Sequence, residues 1–531
     1  MMEDTHVTEA QQQAALQKQL WAVANDLRGN MDPSEYRNYM LGLIFYRFLS
    51  EKVEDEVNML LENDEMTFAE AYEDEDYREG LKNEVTESLG FFIEPRHLYS
   101  SLINDIDEGR FDIEELQNAI NEIENSTIGR DSEHDFKGLF ADMNLSSNRL
   151  GNTVAQRGEL MAKVMHNLND IPFKQSELKI DVLGDAYEYL ISQFAASAGK
   201  KAGEFYTPQQ VSKILAGLVS MGKKELRSVY DPTMGSGSLL LRVGDYAKVG
   251  NYYGQELNDT TYNLGRMNLL MHDVRYDRFE VFNGDTLEDD YFGDQKFDAV
   301  VANPPYSAKW NTEGKLDDER FRKYGKTAPK SKADFAFVEH MLYHTKADGT
   351  TAVVLPHGVL FRGAAEGKIR QYMIEQDNAL DGVIGLPANL FYGTSIPTAI
   401  LVFKKNRTNR DIFFIDASSE FEKGKNQNRL TDENVQKILD TYRERKDVDK
   451  YSHKAEFEEI KENEFNLNIP RYVDTFEEEP PVDVDKLVTE ITETDTKIQE
   501  TEAQFGEMLQ DLVAQDADAQ QQLTKIQELF K

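Results

Sequence analysis

The four residues Asn303, Pro304, Pro305 and Tyr306 carry the clearest chemical pattern in the chain, since they end an apolar run, 299–302, that predicts a buried strand. Proline cannot donate to a sheet and restricts the residue before it, so we expect a stiff loop after the strand. The Asn303 side-chain oxygen and the Pro304 carbonyl would be fixed acceptors beside an aromatic ring. This arrangement suits a planar amine and predicts an N-methyltransferase that works by positioning and electrostatics. A proline-terminated strand without chemistry would use the same residues.

A helix start upstream offers a place for a ligand's carboxylate. Thr207 is expected to cap a helix over 209–219, with Pro208 at its first position, and a helix N-terminus favours an anion. A Gly/Ala/Lys-rich stretch, 195–203, precedes it and predicts a loop of the kind that folds over ligands. A capped helix without any ligand would have the same sequence features. This segment therefore indicates a binding site only together with the other candidate residues.

The segment after Asp231 predicts close approach of the backbone to a ligand. Gly235, Ser236, Gly237 and Ser238 follow a short predicted strand and precede a helix, as in nucleotide-cofactor folds. No Gly-Lys-Ser/Thr follows these glycines, which excludes the phosphate-binding loop of an ATPase at this position.

Two acidic residues end the next two predicted strands. Glu256 lies about twenty residues beyond the glycines, the spacing at which a carboxylate reaches a ribose hydroxyl pair, and Asp285 follows the third strand. Together with Thr207, Asp231 and Asn303, these residues would line one crevice at the carboxyl ends of the strands. Each is weak evidence alone, but the ordered set indicates a cofactor pocket.

Strands alternate with helices from residue 227 onward, which predicts an α/β fold with a parallel, doubly wound, Rossmann-like sheet. Residues 9–165 have helical periodicity and contain no catalytic set. We therefore predict an N-terminal helical domain over 1–169, a catalytic domain over 170–475, and a linker with a C-terminal helix over 476–531. The predicted strands are 228–231, 252–256, 279–282, 299–302, 350–355, 380–384, 399–403 and 412–415.

The C-terminal segment contains a narrow apolar seam with alternating steps of four and three, as in a coiled coil. Such a stripe is too narrow to pack a domain, so we expect a partner helix, with another chain favoured. The seam consists of Leu487, Ile491, Thr494, Ile498, Thr501, Phe505, Met508 and Leu512, with Ile526 and Leu529 in the same phase.

Composition restricts the possible partners and location. The 531-residue chain has no cysteine, and no membrane helix or secretory signal is recognisable, so we predict a soluble, cytoplasmic protein and no metal site. Its formal net charge is −38, whereas DNA binding relies on Lys and Arg at phosphates. Either the substrate is not nucleic acid or a basic partner supplies most of the affinity.

With these residues in view, the sequence resembles the modification (M) subunit, HsdM, of type I restriction–modification systems over nearly its whole length. The resemblance implies a site-specific adenine-N6 DNA methyltransferase that uses S-adenosyl-L-methionine, protects host DNA and supports restriction of foreign DNA. The matching segments are 20–29, 39–48, 183–189, 204–208, 231–232, 303–306, 393–397 and 468–472.

Carried over residue by residue, the resemblance assigns contacts to cofactor and target base. Glu256 would bind the ribose, Asp285 the cofactor's adenine amine, and Asp231 would line the same pocket. The methionine portion would be held by Glu204, Phe205, Tyr206, Thr207, Pro208, Gln209, Ser236, Gly237 and Ser238. The target N6 amine would be held by Asn303 and Pro304, within the loop completed by Pro305 and Tyr306. Tyr306 would stack on the extruded base, with Phe391 or Tyr392 as a second aromatic. Met234 departs from the small residue usual there and should alter packing only.

The resemblance also implies partners: double-stranded DNA, a specificity (S) subunit that selects the site, a second M subunit, and restriction (R) subunits in the full complex. Two alternatives stay open. The first is an N-methyltransferase with another substrate, since the same motif serves enzymes that methylate protein glutamine or cytosine N4. The second is a non-catalytic scaffold protein that only bridges partners.

Overall fold

The computed structural model describes residues 16–23, 33–171, 182–197, 206–391, 394–425, 427–475 and 483–530. The chain divides into two compact units, 1–474 and 475–531. Glu204, Phe205 and Tyr392, three predicted site residues, lie outside the described residues. The boundary predicted at 169/170 and the linker from 476 stay predictions. No helix of the described part of the chain is long and apolar enough to cross a membrane.

A nine-stranded sheet organises the first unit, and all eight strands predicted from the sequence belong to it. The strands are β1 (Glu225–Asp231), β2 (Lys248–Glu256), β3 (Phe279–Asn283), β4 (Phe297–Ala302), β5 (Thr345–Pro356), β6 (Leu380–Gly385), β7 (Thr398–Lys404), β8 (Ile412–Asp416) and, outside the prediction, β11 (Ser452–Ala455). Their order is β11-β8-β6-β7-β5-β4-β1-β2-β3. A separate two-stranded sheet pairs β9 (Glu422–Lys423) with β10 (Asn428–Arg429).

One of the eight predicted strands, β7, departs from the predicted parallel arrangement. β7 runs antiparallel to both β5 and β6, and β11 runs antiparallel to β8. The connection from β6 to β7 has no helix in its described residues, 386–391 and 394–397. Adjacent strands joined without a crossover helix return antiparallel, and this return carries Phe391. The other neighbours, including β4 between β1 and β5, are parallel.

Helices surround the sheet and also make up the region before it. Those of the first unit span Pro33–Leu60, Phe68–Glu73, Glu75–Leu89, Tyr99–Asp107, Ile113–Ser126, Glu133–Phe136, Val154–Asn169, Val182–Ser197, Gln209–Ser220, Ser238–Val243, Asp259–Met271, Glu319–Arg322, Asp334–Tyr343, Gly358–Phe361, Ala364–Glu375, Asp432–Glu444 and Phe457–Glu462. Residues 16–23 are also helical, and short 3-10 helices occur at Pro95–His97, Tyr276–Arg278 and Ile469–Arg471.

Both faces of β4 are buried, as its uninterrupted apolar run predicts. Ala299 and Val301 belong to a hydrophobic cluster that also contains N-terminal helical residues such as Phe45. Val300 and Ala302 belong to a second cluster on the other face. The N-terminal helices and one face of the sheet thus share a single core. Packing from both sides fixes the end of β4, where the Asn303 loop begins.

The second unit contains two helices, Val484–Gln510 and Ala517–Leu529, where the sequence predicts one. Asp516 caps the second helix by accepting from the Ala519 N–H at 2.8 Å. The Gln527 side-chain amide donates to the Leu509 carbonyl at 2.7 Å, so the C-terminal turns of the two helices contact each other. Ile526 and Leu529 therefore do not extend the seam along one helix. The first turns of the seam stay exposed, with Leu487 at 45% and Ile491 at 53%.

Candidate active site at the carboxyl edge of the sheet

The side chain of Asn303 is held from two sides. The Tyr306 hydroxyl donates to Asn303 Oδ1 at 2.8 Å, and Asn303 Nδ2 donates to Thr207 Oγ1 at 3.1 Å. An amide oxygen has two lone pairs, so Oδ1 keeps capacity for one further donor. The structure therefore brings together the predicted Asn303 loop and the predicted Thr207 segment, and it orients the amide before any ligand arrives.

The aromatic residue of the loop is anchored as well. Burial raises the pKa of the Tyr306 hydroxyl well above its usual value, with the nearby Asp334 adding to the effect, so the group remains a donor. The Tyr306 ring meets the ring of Phe391 edge-on, with centroids 5.9 Å apart and an interplanar angle of 78°. Phe391, a predicted stacking residue, is itself buried and thus supports Tyr306 from the side. Pro304 is buried and Pro305 is exposed.

Asp334 fixes the chain just after the loop, a role that the sequence analysis missed. Ser307 adopts a left-handed conformation (φ 53°), and its N–H donates to Asp334 Oδ1 at 2.7 Å. The Arg362 guanidinium donates to Asp334 Oδ2 at 3.2 Å and also pairs with Glu366 at 3.1 Å. Asp334 is fully buried, and its place as the first residue of a helix gave no indication of this contact.

The glycine loop lies over the end of β1. Asp231 ends that strand and accepts from the Thr233 N–H at 2.8 Å, and burial raises the pKa of its carboxyl to about 8. Gly237 takes the left-handed conformation (φ 75°) immediately before the helix Ser238–Val243. The hydroxyls of Ser236 and Ser238 are 2.9 Å apart.

Residues beyond the predicted set complete the loop's support. The Asn268 side-chain amide donates to the Ser236 carbonyl at 2.9 Å. A Cβ on Gly265 would lie 3.0 Å from the Gly235 carbonyl oxygen, so glycine allows the following helix to approach the loop. Met234 is buried and packs against Gly254 and Gly265. These packing roles depend on tertiary contacts that a spacing argument cannot detect.

The second predicted carboxylate braces the glycine loop. Glu256 ends β2, and its two oxygens accept from the N–H groups of Gly235 at 3.0 Å and Asn258 at 2.9 Å. Burial raises the pKa of this carboxyl. The adjacent Leu257, directly after β2, has an apolar side chain that is 66% exposed.

Asp285 sits on the turn after β3, next to Glu256. Its Oδ1 accepts from the Leu287 N–H at 2.9 Å, and the Gly284 N–H donates to the Glu256 carbonyl at 2.9 Å. Asp231, Glu256 and Asp285 thus lie at or just after the carboxyl ends of three adjacent strands, β1, β2 and β3. Three acidic residues around a glycine-lined loop form a set that favours a cationic ligand with hydroxyl groups. That chemistry fits S-adenosylmethionine, which carries sulfonium and ammonium charges and a ribose.

The prediction that Thr207 caps the following helix is wrong. The helix spans Gln209–Ser220, Pro208 occupies the cap position, and no side chain caps it. The Thr207 hydroxyl instead accepts from Asn303, which links this segment to the loop after β4. Tyr206 is buried, whereas Thr207, Pro208 and Gln209 are half-buried along the crevice.

Two family models match the chain. The N-6 DNA Methylase model covers residues 178–480, and the HsdM N-terminal domain model covers residues 16–168. The first match spans more than half of the chain and includes every predicted site residue.

Individual relatives agree with the family models. The chain is 38% identical over 528 residues to the type I restriction enzyme MpnII methylase subunit of Mycoplasma pneumoniae, covering 94% of this chain and 97% of the relative. It is 34% identical over 420 residues to the MjaVII methylase subunit of Methanocaldococcus jannaschii, covering 75% and 69%. A solved structure of the type I restriction-modification system methyltransferase subunit from Streptococcus thermophilus has 45% identity and a TM-score of 0.82, and the match covers 87% of this chain and 100% of that one.

Proposed function

Because this chain belongs to the N-6 DNA methylase family of type I restriction–modification methylase subunits, we propose that the site around Asn303 methylates N6 of an adenine extruded from DNA. S-adenosylmethionine supplies the methyl group, activated on a positively charged sulfur. The observation that carries this assignment is the Asn303 amide, held between Tyr306 and Thr207 at the carboxyl edge of the sheet.

The amine of the target base has two N–H groups, and the loop offers two acceptors. The remaining lone pair of Asn303 Oδ1 and the Pro304 carbonyl would accept one N–H each. This draws electron density onto N6 and fixes the direction of its lone pair, so the catalytic effect comes from positioning and electrostatics. Tyr306 would stack on the base, which must leave the duplex at a cost of a few kcal/mol. Phe391 would keep the Tyr306 ring in place.

The acidic crevice would bind the cofactor beside this loop. Glu256 would accept from the ribose hydroxyls and Asp285 from the adenine amine, while the glycine loop allows the backbone to come close. Asp231 would balance the positive charge of the methionine portion. The backbone from Tyr206 to Gln209 would complete the pocket, with Glu204 and Phe205 before it. A second stacking role for Tyr392 is part of the same proposal.

The net charge of the chain and the exposed apolar seam of its C-terminal region both support binding to other subunits. A chain of net charge −38 needs a basic partner to hold duplex DNA, and a specificity subunit would supply that affinity and choose the sequence. The half-exposed Leu487 and Ile491 offer an apolar stripe for a helix of that subunit. A second M subunit and restriction subunits would complete the assembly, with helical, catalytic and docking regions at 1–169, 170–475 and 476–531.

The direct test is transfer of labelled methyl groups from S-adenosylmethionine to unmethylated duplex DNA. The chain is assayed alone and with its cognate specificity subunit, beside the variants Asn303→Ala and Asn121→Ala. Asn121 lies exposed on the helix Ile113–Ser126 and serves as the matched control. We expect label at adenine N6 only with the partner, abolished in Asn303→Ala and kept in Asn121→Ala.

Cofactor binding separates the other outcomes. Asn303→Ala should still bind S-adenosylmethionine, because its amide faces the target amine in this proposal. Label on cytosine N4 or on protein glutamine would overturn the substrate assignment but leave the methyl-transfer site. Failure of the assembled wild-type complex to bind the cofactor would favour a scaffold.

A further inference from the structure

A positively charged segment lies directly after the catalytic loop of this acidic chain. We call residues 307–333 the basic lobe. It contains eight Lys and Arg residues against four Asp and Glu residues, a net charge of +4, in a chain whose net charge is −38. The contacts of the eight basic residues show which of these charges are already paired within the protein.

Four of the eight basic residues form ion pairs within the protein. Their ion pairs are Lys315 with Glu288, Arg320 with Asp318, Arg322 with Glu319 and Lys323 with Asp377. A fifth, Lys332, is half-buried, and its charge acts on the buried Glu366. These five residues therefore interact with carboxylates of the protein itself.

The remaining three, Lys309, Lys326 and Lys330, are exposed, and their side chains form neither an ion pair nor a hydrogen bond with any residue that the structure describes. Two of them lie on adjacent segments. The Trp310 N–H donates to the Lys330 carbonyl at 3.1 Å, and the Ala333 N–H donates to the Ala308 carbonyl at 2.9 Å. Lys309 lies between these two bonds on its segment.

Both segments are held rigidly next to the target loop. Trp310 is buried, and its indole N–H donates to the Pro329 carbonyl at 3.0 Å. Lys309 is three residues from Tyr306, and between them the Ser307 N–H is tied to Asp334. Because these two lysines lie on adjacent backbone segments, their positive side chains can contact one anionic ligand together, and its negative charge would stabilise both.

We propose that Lys309 and Lys330 bind backbone phosphates of the DNA strand that carries the target adenine, next to the extruded nucleotide. The inference rests on the proposed function, since it takes DNA as the substrate of the Asn303 loop. Phosphate contacts position a nucleic acid without reading its sequence. Here they hold the flanking backbone while the base occupies the loop, and they supply local attraction that the acidic chain otherwise lacks.

The test compares two double variants in the complex with the cognate specificity subunit. Lys309→Gln/Lys330→Gln removes the proposed phosphate ligands. Lys224→Gln/Lys248→Gln removes the same charge from exposed lysines beside the start of β1 and β2, at the opposite edge of the sheet. KM for duplex DNA and kcat are measured from about 50 to 200 mM salt, a range over which binding through phosphate contacts weakens steeply. The affinity for S-adenosylmethionine is the folding control.

We expect the Lys309→Gln/Lys330→Gln complex to raise KM for DNA about tenfold. The slope of log KM against log salt should become shallower by about 2, because each lysine that neutralises a phosphate contributes about 1 to that slope. Lys309→Arg/Lys330→Arg should keep both values, because arginine also binds phosphate. A slope and KM equal to those of the control pair would overturn the inference while leaving DNA methylation by the wild type intact. Absence of DNA methylation by the wild-type complex would instead refute the proposed function.

Discussion

The amide of Asn303 donates to the hydroxyl of Thr207 at 3.1 Å and thereby joins two segments that are 96 residues apart in the chain. One segment ends β4, and the other precedes the helix Gln209–Ser220. The proposed cofactor pocket and the proposed target loop therefore share a hydrogen bond. Changes on the cofactor side are expected to reach the Asn303 amide through this hydrogen bond.

Thr207→Val should lower kcat about tenfold, since removing a hydrogen bond of about 1.4 kcal/mol lets the Asn303 amide rotate away from the amine. KM for DNA and affinity for S-adenosylmethionine should change little. Steady-state kinetics of the complex with its specificity subunit measure all three values. Thr207→Ser restores the hydroxyl and should restore kcat. A valine variant with wild-type kcat would show that Tyr306 alone orients the amide.

Cofactor affinity should depend on pH through Asp231, whose pKa burial raises to about 8. Below that pH the carboxyl of the free protein is largely protonated, and a positively charged ligand favours its ionised form. Binding therefore releases a proton, and affinity should increase as pH rises from 6 toward 8 and then level off. Titration calorimetry in two buffers of different ionisation enthalpy measures the proton release. Asp231→Asn should weaken binding and abolish the release, whereas an unchanged release in that variant would assign the proton to another group.

Stability should depend on pH through Glu339, which is fully buried and whose two oxygens have no hydrogen-bond partner among the described residues. Burial raises the pKa of this carboxyl well above its usual value. The unfolded chain ionises near pH 4.5 while the folded chain stays protonated, so the free energy of unfolding should fall as pH rises above that value.

Glu339→Met should therefore stabilise the protein at pH 8 by about 1–3 kcal/mol, the desolvation penalty of an unpaired polar group, and by less at pH 5. Urea unfolding at both values measures the difference. Glu366→Met is the matched comparison, because Glu366 is buried but pairs with Arg362, and its removal should destabilise. Equal stabilisation at pH 5 and pH 8 would attribute the gain to packing alone.

Removal of residues 483–531 should weaken assembly with the specificity subunit while leaving S-adenosylmethionine binding intact. The segment belongs to a separate compact unit, and its seam is exposed at Leu487 and Ile491. Leu487→Asp/Ile491→Asp in the full chain should weaken assembly similarly, whereas Glu493→Gln on the same helix should not. Size-exclusion chromatography of the mixed subunits reports the complex. Normal assembly of the truncated chain would place the docking surface elsewhere.

Local pattern was sufficient to predict the strands but not their directions or their tertiary contacts. The apolar run of β4 and the polar residues after β1 to β3 were correctly placed at the strand ends, because strand ends are local features. The antiparallel direction of β7 depends on the connection between β6 and β7, and the hydrophobic periodicity of the strands carries no information about strand direction. Thr207 has the sequence features of a cap, and only the fold shows its hydroxyl at Asn303. Asp334 likewise acts on Ser307 from 27 residues away.

The core shared by the N-terminal helices and the sheet limits how this chain can be recombined. Phe45 and Leu168 belong to the same hydrophobic cluster as Val229 and Ala299, so the region before residue 170 and the nine-stranded sheet are packed as one body. A chimaera that joins the helices of one relative to the sheet of another would bring together apolar surfaces whose side chains do not fit each other. Exchange of the helical region should therefore require matched substitutions in the sheet region as well. This holds even though one family model ends at residue 168 and the other begins at residue 178.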